Sequence, residues 1–395
     1  MPLRRLHGLL SAGASGAVSG HRLRRGLSTA ASRPPWAMLY EAKFVGSPAA
    51  RASLQLAEPP GASHILVPSH LVAPPPSRPD AGRDDVHVLL SRGICATSGD
   101  GLVLLHYMDH RTAAPVVAKP GSTPIRELAN AGMLFDPDVT RFVCNPLSGQ
   151  MVRLPDVDGT SKSMWSCFDI GILTQSERPH QPPDRYAVAA LSPEHGVGER
   201  TFVLQRFLSQ TSEWHKLDGL PSPLPLPLPR QFDLQDHEVV PFAGRLWWVD
   251  VSWGAVSADP FSDRPDLRFV ELPRGSVTEP MDMQRLRSLG RYRRIGVSEG
   301  RLRYAEVSQE EPFVLSSFAL QDDGNSWRLE HRLALSRLWA HWQEDTPRIG
   351  VVDPLNAGVM HLTTGPTALA VDMGKEKLLK CSTIGGDDST CSAAS

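Results

Sequence analysis

The sequence predicts an all-β chain, arranged as a β-propeller of about six or seven four-stranded antiparallel blades, and three observations carry that expectation. First, past Trp36 short β-type runs alternate with Pro, Gly, Asp and Asn, and helical periodicity rarely outlasts two turns. Second, five segments share one form, in which an apolar strand meets a polar turn and a second strand follows, often ending near Leu-Pro. They are "RFVCNPLSGQMVRLP" from Arg141, "TFVLQRFLSQTSEWHKLDGLP" from Thr201, "GRLWWVDVSWGAVSADP" from Gly244 with its continuation "LRFVELP", "PFVLSSFALQDDGNSWRLEH" from Pro312 and "RIGVVDPLNAGVMHLTTG" from Arg348. Their starts lie roughly 40 to 70 residues apart, which brackets the period of a propeller blade once insertions are allowed. Third, "VHVLL" (Val86 to Leu90), "GLVLLHY" (Gly101 to Tyr107) and "YAVAAL" (Tyr186 to Leu191) are apolar on both faces. A pair of β-sandwiches is the alternative, but its strands would each keep one consistently polar face.

Taken in chain order, the first element is a leader. From Met1 to Tyr40 there is no Asp or Glu, whereas Arg4, Arg5, Arg22, Arg24, Arg25 and Arg33 stand among Ser, Ala and Gly. That composition suits a disordered organellar transit peptide over residues 1–27, with cleavage in "RRGLSTAAS" between Leu27 and Ser28 and the mitochondrion as destination. A plastid is the alternative address. A secretory signal fits less well, because its apolar part would be "LHGLLSAGASGAVSG", rich in Gly and Ser, with three arginines close behind.

The propeller-like domain is expected over residues 34–381. Proline-rich stretches from Ala73 and Leu220 read as extended connectors between blades. The tryptophans of the central segment fit only a sheet covered on both faces. Side chains alternate along a strand, so Trp247, Val249, Val251 and Trp253 should face one way, and Leu246 and Trp248 the other. Each indole removes up to about 200 Å² from water, worth about 5 kcal/mol as an upper bound. The segment "TEPMDMQRLRSLG" (Thr278 to Gly290) reads best as a short helix, and residues 382–395 read as a disordered tail.

Composition narrows function mainly by exclusion. Lys plus Arg (41) almost balances Asp plus Glu (43), so global charge selects neither nucleic acid nor anionic membrane. The five cysteines, Cys95, Cys144, Cys167, Cys381 and Cys391, are odd in number and never form a CxxC pair, which argues for a reducing compartment and against a zinc site. No uncharged apolar run approaches the roughly 18 residues of a spanning helix, so no membrane insertion is expected. No HExxH, GxSxG, complete GxGxxG or Walker motif occurs.

Weaker constellations have simpler readings. In "HYMDH", His106 and His110 would ligate a metal only on a helix, and the preceding "GLVLL" reads as a strand, which sets them about 13 Å apart. The acidic stretches "DVDGT" (Asp156 to Thr160) and "DDGNS" (Asp322 to Ser326) read as β-turns rather than calcium loops. In "RLRSLGRYRR", Arg291, Arg293 and Arg294 surround Tyr292, the chemistry of RNA contact, although acidic neighbours and alternation also suit a solvated hairpin. The run "PLPLPLPR" lacks the second proline an SH3 ligand needs, since position 228 is Leu228.

The segments "RPPWAMLYEAKFVG", "GRLWWVDVSWGAVSADPFSDRPDLRFVELP", "RYRRIGVSEGRLRYAEV" and "SWRLEHRLALSRLW" resemble the plant family, expanded in grasses, that carries domain of unknown function 1618, with the defining part near residues 244–372. No activity, substrate or catalytic residue is established for that family. "NPLSGQMVRLP" and "SEWHKL" also resemble the kelch-like repeats of F-box-associated domains, which bind other proteins. Here the presumed transit peptide stands where an F-box would, against a ubiquitin-ligase role. The expectation is therefore a non-enzymatic organellar scaffold that binds another protein, with no catalytic residue, cofactor or metal. Its contact residues would be Trp253, Arg291, Tyr292, Arg293 and Arg294. RNA binding is the alternative. A propeller-type hydrolase would need inward-facing acids or histidines around a channel, Asp250 among them, and the sequence offers no converging set.

Overall fold

The computed structural model describes residues 34–72, 86–112, 138–157, 170–178, 181–194, 200–225, 238–279, 283–338, 346–384 and 392–394. The expected leader with its Leu27–Ser28 bond lies outside them, as do the proline-rich stretch from Ala73, half of that from Leu220 and the end of "DVDGT".

Six four-stranded sheets follow one another along the chain. The first holds β1 (Ala37–Val45), β2 (Ser53–Gln55) and β3 (Ala62–Pro68); the second holds β4 (Val86–Thr97), β5 (Val103–Thr112), β6 (Asp138–Asn145) and β7 (Gln150–Arg153). The third is β8 (Ile170–Gln175), β9 (Arg185–Glu194), β10 (Thr201–Leu208) and β11 (Glu213–Pro221), and the fourth is β12 (Glu238–Phe242), β13 (Arg245–Asp250), β14 (Gly254–Ala258) and β15 (Arg268–Glu271). The fifth is β16 (Arg293–Ser298), β17 (Arg301–Val307), β18 (Val314–Leu320) and β19 (Trp327–Ala334). The sixth is β20 (Arg348–Val352), β21 (Val359–Thr364), β22 (Thr367–Asp372) and β23 (Lys377–Thr383). The last strand, β24 (Ser392–Ala394), returns to the first sheet and pairs antiparallel with β1. Each sheet is a blade, and the innermost strands β4, β8, β12, β16, β20 and β24 touch in turn around a closed ring.

The first blade departs from the others. Its order is β2-β3-β1-β24, and β1 runs parallel to β3. Strands from near the two ends of the described residues thus meet in one sheet, and β24 covers the inner edge of β1. Strands β23 and β24 also correct the expectation of a disordered tail over residues 382–395, since Thr383 ends one and Ser392–Ala394 form the other. The sequence "SAA" carries no strand propensity; the unpaired edge of β1 supplies the template.

Each seam between blades holds one apolar cluster, six in all. Val67 and Leu105 belong to the cluster between blades one and two, Leu104 and Val188 to that between two and three, and Leu204 and Trp248 to that between three and four. Val249 and Tyr304 belong to the cluster between four and five, Leu315 and Met360 to that between five and six, and Met38 and Val351 to that at the closing seam. This is why the consecutive indoles are both hidden. Trp248, 0% exposed, packs toward blade three, and Trp247, 6% exposed, packs toward blade five. Trp253 differs from its expected side: it joins the Trp248 cluster. The strand ends at Asp250, residues 251–253 turn the hairpin, and the alternation stops there. Blades three and four approach closely at Gly171 of β8, where a Cβ would stand 2.5 Å from Val239 Cγ1 of the next blade.

The helix expected over residues 278–290 is α1 (Met283–Leu289), which seals the seam below Trp247 with buried Leu286 and half-buried Leu289. Connections differ between the two ends of the ring. Those closing one end, such as 98–102, 146–149, 243–244, 299–300 and 373–376, span nine residues or fewer throughout. The strands that bound residues 69–85, 113–137, 154–169, 222–237, 272–292 and 335–347 end and begin at the opposite end.

Candidate functional site

Two regions bring polar chemistry together. The first is a cavity of about 320 Å³ on the ring axis, walled by the inner strands β4, β12, β16 and β20. Val239, Ile295, Val297 and Val351 give it apolar walls, and Cys95, Thr97, Ser98, Glu238 and Arg294 bring polar groups to it. Glu238 and Arg294 belong to different blades. Glu238 Oε2 lies 3.3 Å from Arg294 Nε, and its Oε1 accepts a hydrogen bond from the Ile295 amide at 3.3 Å. Arg294 Nη1 donates to the Gly350 carbonyl, so one guanidinium joins blades four, five and six.

Cys95 owes its position to a β-bulge. The β4–β5 register shifts between Ile94 and Ala96, leaving Cys95 as the extra residue, and a bulge re-aims the side chain it carries. Cys95 Sγ stands 3.0 Å from His106 Nδ1. The imidazole fits there because its cross-strand partner is Gly93, where a Cβ would lie 3.0 Å from His106 Cε1. Burial, helped by the Arg141 guanidinium directly across from it on β6, holds His106 down at about 4, so the ring is neutral at pH 7. A neutral imidazole can accept the thiol proton. Cys144, buried in the neighbouring seam, is pushed by burial up to about 12 and stays a thiol.

The second region lies at the end of the ring with the long connections. Arg291 and Tyr292, both half-buried, precede β16 there, and α1 exposes Arg285 and Arg287 beside them. The expected contact set divides. Arg293 is turned inward: its Nη1 donates to the Val251 carbonyl at 3.0 Å and the Ser276 carbonyl at 2.5 Å, and its Nε lies 3.8 Å from Glu306. Arg294 faces the axial cavity and is buried. Trp253 is 0% exposed, which corrects its expected place at a blade tip: its indole packs 5.0 Å from the Phe269 ring as part of a seam. Strand alternation alone could not separate these arginines, because the partners that claim them come from other blades.

The other residues singled out from the sequence have structural surroundings of their own. His106 and His110 lie on strand β5, as the preceding apolar run implied, and among the described residues no group of three His, Cys, Asp or Glu side chains is placed to hold a metal. "DDGNS" is a turn in which Asp323 accepts from the amides of Asn325 and Ser326 and from the Ser326 hydroxyl. Asp250 does not line the axis. Its Oδ1 accepts from the Ser252 amide at 2.8 Å and the Ser252 hydroxyl at 2.5 Å, shaping the β13–β14 turn. Sequence reading missed Glu238 and the Cys95–His106 contact. Neither has a local signature, since one depends on ring closure and the other on a bulge. Among the described residues, no helix is long and apolar enough to cross a membrane.

Residues 248–364 match the family described as a protein of unknown function (DUF1618), close to the span its resemblance indicated. No curated protein matches the sequence. Among solved structures, the chain is similar to apo AztD from Citrobacter koseri, at 11% identity over 78% of this chain and 86% of that one, with a TM-score of 0.32. It is also similar to the periplasmic gluconolactonase PpgL of Pseudomonas aeruginosa, at 10% identity over 77% and 88%, TM-score 0.34. The β-propeller domain of Cps50 (Swd1) from Myceliophteria thermophila matches at 9% identity over 64% and 71%, TM-score 0.29. Likeness at this level says nothing about the activity of this chain.

Proposed function

We propose that this propeller is a non-enzymatic scaffold that binds another protein through the end bearing its long connections, and that it works in an organelle, the mitochondrion, after loss of residues 1–27. The observation that carries the reading is the asymmetry of the ring. Every connection at one end is short, whereas six long segments leave from and return to strand ends at the other, and binding residues concentrate on long loops held by a scaffold. The half-buried Arg291 and Tyr292 beside the exposed face of α1 supply the mixed aromatic and cationic surface that protein contacts favour.

RNA is the weaker occupant. Arg293 and Arg294, two of the cations that suggested it, spend their guanidinium groups on backbone carbonyls and on Glu306 and Glu238. Affinity purification of the full chain from isolated mitochondria, followed by mass spectrometry, tests the proposal. The expected result is a chain beginning at Ser28 with a stoichiometric protein partner that survives nuclease treatment. A chain still beginning at Met1 contradicts the import reading, and co-purification lost on nuclease treatment contradicts the protein reading.

A further inference from the structure

We propose that Cys95 captures small α,β-unsaturated carbonyl compounds entering the axial cavity, by conjugate addition with His106 as proton relay. The inference is independent of any partner at the loop-bearing end. It stands on three placements: half-buried Cys95 in the cavity wall, a nitrogen of the buried His106 ring 3.0 Å from its sulfur, and apolar lining of the same cavity by Val239, Ile295 and Val351. A cavity of about 320 Å³ lies at the small end of ligand pockets, which selects short-chain compounds.

The chemistry balances without another reactant. The thiol proton passes to His106 Nδ1 as sulfur bonds the β-carbon, and the displaced π pair becomes an enolate. The enolate then takes that proton at its α-carbon, so nothing leaves and the imidazole ends as it began. Of the remaining described cysteines, Cys144 is buried with its thiol held protonated, and Cys381 lies exposed on β23, away from the cavity.

The test is a time course of the full-length protein with trans-2-hexenal, quenched with borohydride and read by peptide mass spectrometry. Cys95 is expected to gain the adduct about tenfold faster than Cys381, with Cys144 unmodified, and His106→Gln should slow Cys95 by about tenfold or more while leaving Cys381 unchanged. Cys95 reacting no faster than Cys381, or at the same rate in the folded His106→Gln chain, overturns the proposal. Cys144 reports folding: if it becomes reactive, that variant has unfolded, and denaturing urea applied to the unaltered chain decides instead. The Cys95 advantage should vanish there, and an advantage that persists in urea also overturns the proposal.

Discussion

Glu238 and Arg294 face each other across the seam between blades four and five, Oε2 3.3 Å from Nε, where the seam opens into the axial cavity. Each comes from the start of an inner strand, and the guanidinium reaches on to the Gly350 carbonyl of blade six. The contact therefore fixes how three blades sit around the axis. Removing one partner strands the other charge in a poorly hydrated wall, and that loss exceeds what the pair contributes over an apolar substitute.

Glu238→Ala should accordingly destabilise the chain by about 1–3 kcal/mol. The double variant Glu238→Leu with Arg294→Met should recover most of that loss. Urea denaturation of the three variants checks both outcomes.

The indole pair offers a sharper test of radial packing. Trp248→Ala should cost about 3–5 kcal/mol, as expected for a large side chain removed from a fully enclosed site. Trp247→Phe and Trp248→Phe should add to within about 0.5 kcal/mol although the residues are adjacent, because their side chains sit in different seams. Strong coupling in a denaturation cycle would place both rings in one core instead.

His106 makes stability depend on pH. Its folded value of about 4 lies below the ordinary 6.5, so the unfolded chain takes up the proton first and stability falls as pH drops from about 6.5 to about 4. Near the middle of that window the slope is about 1.4 kcal/mol per pH unit from this residue, and above pH 7 the effect is absent. His106→Gln should flatten the profile over that range, measured by denaturation at successive pH values.

Ring closure rests on a three-residue strand. Deleting residues 385–395 removes β24 and bares the inner edge of β1, although Ile384 stays in its cluster with Trp36 and Met38. The thermal midpoint should fall by about 5 °C, and size-exclusion chromatography should show self-association through the open edge.

The blade pattern was legible because it is local: alternation and turn residues recur within each segment, and "RLWWVD" reads as a strand with no wet face. What joins blades was not legible. The bulge at Cys95, the reach of Arg294 to Gly350 and the pairing of β24 with β1 join positions that lie from eleven residues to hundreds apart, and no spacing rule encodes such contacts. Trp253 shows the limit most simply. Alternation placed it with Trp247 and Val249, but it lies three residues beyond the end of the strand, where a turn sets side-chain direction.

The most direct measurement compares the two ends of the ring. A photo-crosslinking residue is placed at Arg287 on the loop-bearing end, or at Gly324 on the short-turn end, and each full-length chain is irradiated in mitochondrial extract. The account expects a discrete protein adduct from position 287 that is absent from position 324 and insensitive to nuclease. Equal yields from both ends, or an adduct from position 287 that nuclease removes, would contradict it.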